Sequence, residues 1–97
     1  MNSVVERLKE ASPEIRKRFR IKRLGVFGSY AKNKMQTGSD LDIVFDLEEN
    51  VRLSFKELIL LEEFITRKTG ISEIDLVRTQ YMNPLVWLTV KDTVIYV

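Results

Sequence analysis

Ninety-seven residues, 44% of them hydrophobic and 31% charged, describe one globular domain over 1–97 with little left for accessory domains. With neither cysteine nor histidine, the chain cannot form a disulfide or a thiolate or imidazole metal site, and it lacks the commonest general base. The net charge of +2 conceals an asymmetry: Lys9 to Lys34 holds nine Lys or Arg against two Glu, a balance of +7, whereas Met35 onward carries −5.

Such a basic run is either a solvated helix face or a positive rim for an anionic ligand or an acidic partner, and charge alone does not separate these. Any metal must be held by oxygen, which favours magnesium, manganese or calcium. No apolar run approaches the about 20 residues of a membrane span, and no signal peptide is legible, so a cytoplasmic protein is expected.

In chain order, Ser3-x-x-Glu6 reads as a capping box ahead of Val4, Val5 and Leu8 at helical spacing. Ser12-Pro13 reads as a fresh N-cap with proline at the first helical position, starting a second helical segment to about Phe19. Ile21 to Phe27 reads as a strand ending at Gly28, with a short helix from near Ser29. Leu41 to Phe45 is a second strand. Ser54-x-x-Glu57 caps a long helix with Phe55, Leu58, Leu61 and Ile65 on one face, closed by Gly70. Ile74 to Val77 is a third strand, Asn83-Pro84 opens a short helix through Val90, and Val94 to Val97 is a short last strand. Strands alternating with helices predict an α/β (α+β) fold, a small mixed β-sheet with helices packed on it.

The chemistry lies in the acidic strands. Asp40 and Asp42 are two apart, which on a strand points both carboxylates to one face while Leu41, Ile43 and Phe45 take the other. Asp75 is a lone acid inside the apolar strand Ile74-Asp75-Leu76-Val77, where it is unfavourable on β-propensity and costly if buried. Singly, Asp40 reads equally well as a turn cap and Asp75 as a partner for Arg78. Together they are explained most simply by neighbouring strands whose acids share metal ions. Gly28-Ser29, between a strand and a helix, allows close backbone approach and free N–H groups toward an anion. It is not a P-loop, because the Gly-x-x-x-x-Gly-Lys-Ser/Thr pattern is absent. Tyr81, Trp87 and Tyr96 read as core or interface residues rather than base-stacking platforms.

Gly28-Ser29-Tyr30-Ala31-Lys32, followed by Ser39-Asp40-Leu41-Asp42-Ile43-Val44 and by Ile74-Asp75-Leu76-Val77, resembles the minimal nucleotidyltransferases of the DNA polymerase beta superfamily. The resemblance spans nearly the whole chain, from Leu24-Gly25-Val26-Phe27 to the ending Asn83-Pro84 to Tyr96. It implies a polymerase beta-like fold, ATP on Gly28, Ser29 and Ser39, and two Mg2+ ions on Asp40, Asp42 and Asp75, the last of these near the attacking hydroxyl. It also implies pairing with a small helical HEPN toxin, an RNase, which the domain blocks as an antitoxin by adenylylating a tyrosine. The sequence departs from the family at Lys32-Asn33, where an Arg-Gly pair is common. Lysine keeps the charge but not the fork, and asparagine tolerates the left-handed conformation a glycine would supply.

Two functions follow. The first is a metal-dependent transferase moving AMP from ATP to a hydroxyl of a partner protein. The second is a non-catalytic module that neutralises its partner by complex formation. Direct nucleic-acid binding is not expected, because no template- or tRNA-binding element is present.

Overall fold

The computed structural model describes residues 3–97. Helix α1 (Ser3–Phe19) leads into strand β1 (Ile21–Phe27), the one-turn helix α2 (Gly28–Ala31) and strand β2 (Leu41–Leu47). Helix α3 (Phe55–Thr69) and strand β3 (Ile74–Arg78) follow, then a 3-10 turn (Thr79–Tyr81), helix α4 (Pro84–Val90) and strand β4 (Ile95–Tyr96). The strands form one sheet in the order β3-β2-β1-β4. β1 runs antiparallel to β2 and β4, and β2 runs parallel to β3. Parallel neighbours need a crossover, and α3 is that crossover. The sheet is therefore mixed, with helices packed on it, as the alternation of elements implies.

One face of the sheet carries the core. Leu41, Ile43 and Phe45 alternate inward along β2 and pack with Leu24 and Val26 of β1. Above them lie Val5, Leu8, Ile15 and Phe19 of α1 and Leu61, Phe64 and Ile65 of α3, all buried. Phe19 and Phe64 meet edge to face at 6.3 Å, joining the two helices.

The expected break at Ser12-Pro13 does not occur: α1 is continuous, with Pro13 inside it. Local cap chemistry is overridden by burial, because residues 5, 8, 12, 15 and 19 form one stripe against the sheet and Ser12 lies in it at 1% exposure. Its hydroxyl therefore has no cap to make and finds no hydrogen-bond partner. Ser3 is already helical, so the cap position of α1 lies outside the described residues.

The second capping box forms as expected. Ser54 Oγ accepts the Glu57 N–H at 3.1 Å, and Glu57 Oε1 accepts the Ser54 N–H at 3.1 Å. Gly70, at φ +79°, closes the helix by donating to the Thr66 carbonyl. Glu57 also meets Arg20 at 3.1 Å, which ties the start of α3 to the end of α1. The backbone hydrogen bond from Ser54 is the first of several causes that hold the Glu57 carboxyl below its ordinary range. We expect Ser54→Ala to cost about 1 kcal/mol. In a domain of this size that lowers the melting temperature by about 4–8 °C, read by circular dichroism. Because Glu57 binds its proton less tightly when folded, its contribution is complete above the ordinary glutamate pKa and fades as pH falls through the lowered value. The gap between wild type and Glu57→Ala should therefore narrow on acidification.

The basic run is partly structural. Arg16, Lys17 and Arg18 are exposed in the last turn of α1, where the helix dipole favours cations. Arg20 and Arg23 are engaged by Glu57 and Asp46. Among the described residues no helix is long and apolar enough to cross a membrane.

Candidate nucleotide and metal site

The site face lies opposite the core. Asp42 is half-buried between the buried positions Leu41 and Ile43, so its side chain leaves the sheet on the side away from α1 and α3. In register, Phe27 at the end of β1 lies across from Asp42, and Asp42 lies across from Asp75 on β3. One row across three strands thus ends β1 at the Gly28 turn and sets two carboxylates side by side. Asp40 precedes β2 by one residue and shares the alternation with Asp42.

Gly28 is required where it stands. Its φ of +71° lies in the left-handed region. A Cβ built there would run into the carboxylate of Asp42. The turn backbone therefore sits directly against the acid, a closeness only glycine permits. No side chain caps the first turn of α2. After it, Lys32 donates to the Gly28 carbonyl at 3.2 Å and Lys34 to the Ser29 carbonyl at 2.8 Å, which fixes the turn. Asn33 takes φ +57°, so the residue that replaces the family's glycine adopts the left-handed conformation expected of it. Ser39 Oγ accepts the Gln36 N–H at 2.7 Å, closing the loop that delivers Asp40 to β2.

Electrostatics set Asp42 apart from an ordinary surface carboxylate. Burial raises the Asp42 carboxyl above its ordinary value, and the charges of Asp75 and then Asp40 raise it further. None of the three has an ion pair among the described residues. Asp75 is not paired with Arg78, whose guanidinium lies over the Tyr81 ring at 5.2 Å. Asp46 was not singled out from the sequence, although its spacing from Asp42 puts it on the same face. It differs in being compensated, because Arg23, its cross-strand partner, meets it at 2.8 Å. Asp40, Asp42 and Asp75 remain as the uncompensated set.

Among the described residues, no three acids are drawn together as a preformed metal cage. Asp40 and Asp75 are exposed, and Asp42 is half-buried. The donor set is nonetheless all oxygen, and the crowding that raises Asp42 is what a hard divalent cation relieves. Of the core-or-interface reading of the three aromatics, the core half fails, since none of them is in the core. Tyr81 is 71% exposed, and Tyr96 is 44% exposed with Arg23 over its ring at 5.7 Å. Trp87 is half-buried.

A mixed sheet that sets a strand–Gly-Ser–helix turn against a row of strand carboxylates places the chain among α/β proteins with an acidic, oxygen-only site. Residues 8–97 match the nucleotidyltransferase domain family, and the chain belongs to that family. It is 37% identical over 84 residues to protein adenylyltransferase MntA of Thermococcus cleftensis, covering 87% of this chain and 82% of that protein. It is 30% identical over 98 residues to a protein of Methanocaldococcus jannaschii provisionally named a protein adenylyltransferase, covering all of this chain and 97% of that protein. The fold resembles a chain in a crystal structure of a toxin–antitoxin with AMP-PNP, at a TM-score of 0.62 and 18% identity. That likeness covers 80% of this chain and 62% of the other.

Proposed function

We propose that this domain is a cytoplasmic protein adenylyltransferase that moves AMP from ATP to a hydroxyl on a partner protein, and that it acts as the antitoxin of a small helical HEPN-type RNase. The reading rests on the placement of Asp42 opposite Asp75 with the Gly28–Ser29 turn against Asp42. The names of its relatives support protein as the acceptor class.

The residues divide the work. Gly28 and Ser29 bring backbone N–H groups to the triphosphate, and the Ser39 turn holds Asp40 in place. Asp40, Asp42 and Asp75 are the oxygen ligands for magnesium, which supplies positive charge against the phosphate oxygens when bound. The acceptor oxygen attacks the α-phosphorus, the bond to the bridging oxygen of the β-phosphate breaks, and pyrophosphate leaves. Asp75, the ligand position on β3, is assigned the hydroxyl proton. No protein nucleophile is involved, which suits a chain without cysteine or histidine.

The test is to incubate the chain with ATP, magnesium and the product of its neighbouring gene, and to weigh that product. A mass gain of one AMP or more that disappears with Asp40→Asn is expected. Inhibition of the partner without mass change, equal in Asp40→Asn and Asp42→Asn, would replace this reading with the binding module.

A further inference from the structure

A cavity of about 520 Å³ lies away from the carboxylate row, beside the free edge of β3. Leu47, Leu53, Leu58 and Leu76 form much of its wall, with Arg52 and Arg78 at one end. A second depression, about 340 Å³, continues along the same edge past Phe55 and Ile59 to Glu62 and Asp75. β3 is an outer strand. The Glu73 carbonyl accepts from Leu41 on β2, so by strand alternation residues 74, 76 and 78 turn their N–H and C=O groups to the open side. An unpaired edge beside exposed apolar residues is a template for another strand. Phe55 is 79% exposed and Ile59 43%, on a helix whose other face is core.

The charges along this edge are arranged by direction. Arg52 and Arg78 stand at the C-terminal end of β3, and neither has an ion pair among the described residues. Glu62 and Asp75 stand toward its N-terminal end. A strand laid antiparallel on β3 must therefore be acidic where β3 is basic, and basic where β3 is acidic. A second copy of β3 meets that demand. With the two-fold axis at Leu76, Arg78 of each copy lies across from Ile74 of the other, beside its Glu62, and the apolar walls face each other. An isologous contact needs only this self-complementarity.

We infer that the chain forms a homodimer by antiparallel β3–β3 pairing, extending the sheet from four strands to eight across the two copies. This goes beyond the transferase reading and does not depend on it. The pairing would also place the two Asp75 residues on the strands that join the protomers, so each acidic site lies next to the interface.

Sedimentation velocity of the full chain should give twice the monomer mass. Arg78→Glu should weaken the dimer on the order of tenfold or more, and adding Glu62→Arg to it should restore dimerisation. The chain has no cysteine, so Leu76→Cys introduces the single thiol and should be captured as a disulfide-linked dimer on mild oxidation. If Arg78→Glu does not fold, the Leu76→Cys cross-link decides the matter. A monomer at every concentration, or a dimer insensitive to charge reversal in which Leu76→Cys does not cross-link, overturns the proposal.

Discussion

Asp42→Asn is expected to raise the melting temperature of the metal-free domain while reducing AMP transfer by about 10²–10³-fold or more, the scale of losing one preorganised group that stabilises transition-state charge. The two effects have one origin. Burial and the charges of Asp75 and Asp40 raise the Asp42 carboxyl when the chain is folded. A raised carboxyl means the folded state holds that proton more tightly than the unfolded state. Stability from this residue is therefore greatest below the ordinary aspartate pKa and declines as pH rises through the folded value. Above the folded value the penalty is fully present, and asparagine removes it. The gain should be a few degrees at most, because the carboxyl is only partly buried and water screens its neighbours; about 4–8 °C corresponds to 1 kcal/mol in a domain of this size. It should vanish near pH 3, where the wild-type residue is protonated. Magnesium should raise the melting temperature of the wild type by preferential binding to the folded state and raise that of Asp42→Asn less. A variant that is both less stable and inactive would mean that Asp42 holds the fold together rather than the metal.

Most of the site was legible because strand alternation is a strict rule. Asp40, Asp42 and Asp75 stood out as acids in otherwise apolar strands, and alternation put Asp42 on the face opposite Leu41, Ile43 and Phe45. That β2 and β3 are neighbours was legible from their acids, but the register that sets Asp42 directly across from Asp75 was not, because it depends on how α3 crosses over. The break at Ser12-Pro13 was misread for a related reason. Cap chemistry is local, whereas the burial that carries α1 through Pro13 is decided by the sheet beneath it. Helix α4 shows the same limit from the other side. Leu85, Val86, Trp87 and Leu88 are all apolar, yet no residue of this helix is buried, and Leu85 is 72% exposed. Apolar composition reports what a surface favours, not whether this chain supplies the covering partner.

Gly28→Ala should be more damaging than Gly38→Ala, which provides its control. Both glycines lie in the left-handed region, at φ +71° and +86°. Both substitutions therefore carry the backbone penalty of about 1–2 kcal/mol for a residue with a Cβ. Only one of them meets an obstacle. Nothing lies within 4 Å of a Cβ at Gly38, whereas at Gly28 the Asp42 carboxylate occupies the space. Gly38→Ala should therefore lower the melting temperature by about 4–16 °C, from the penalty and the size scaling together. Gly28→Ala should lower it clearly further, and should abolish magnesium-dependent ATP binding by pushing the turn and the acid apart. The Asp42 contribution can be isolated by a double-mutant cycle, because Asp42→Ala removes the carboxylate that the new methyl strikes. On the Asp42→Ala background, Gly28→Ala should cost no more than Gly38→Ala does in the wild type. If it still costs substantially more, the turn is held by something other than its closeness to Asp42, and the cradle formed by Gly28 and Asp42 is not the reason for the glycine.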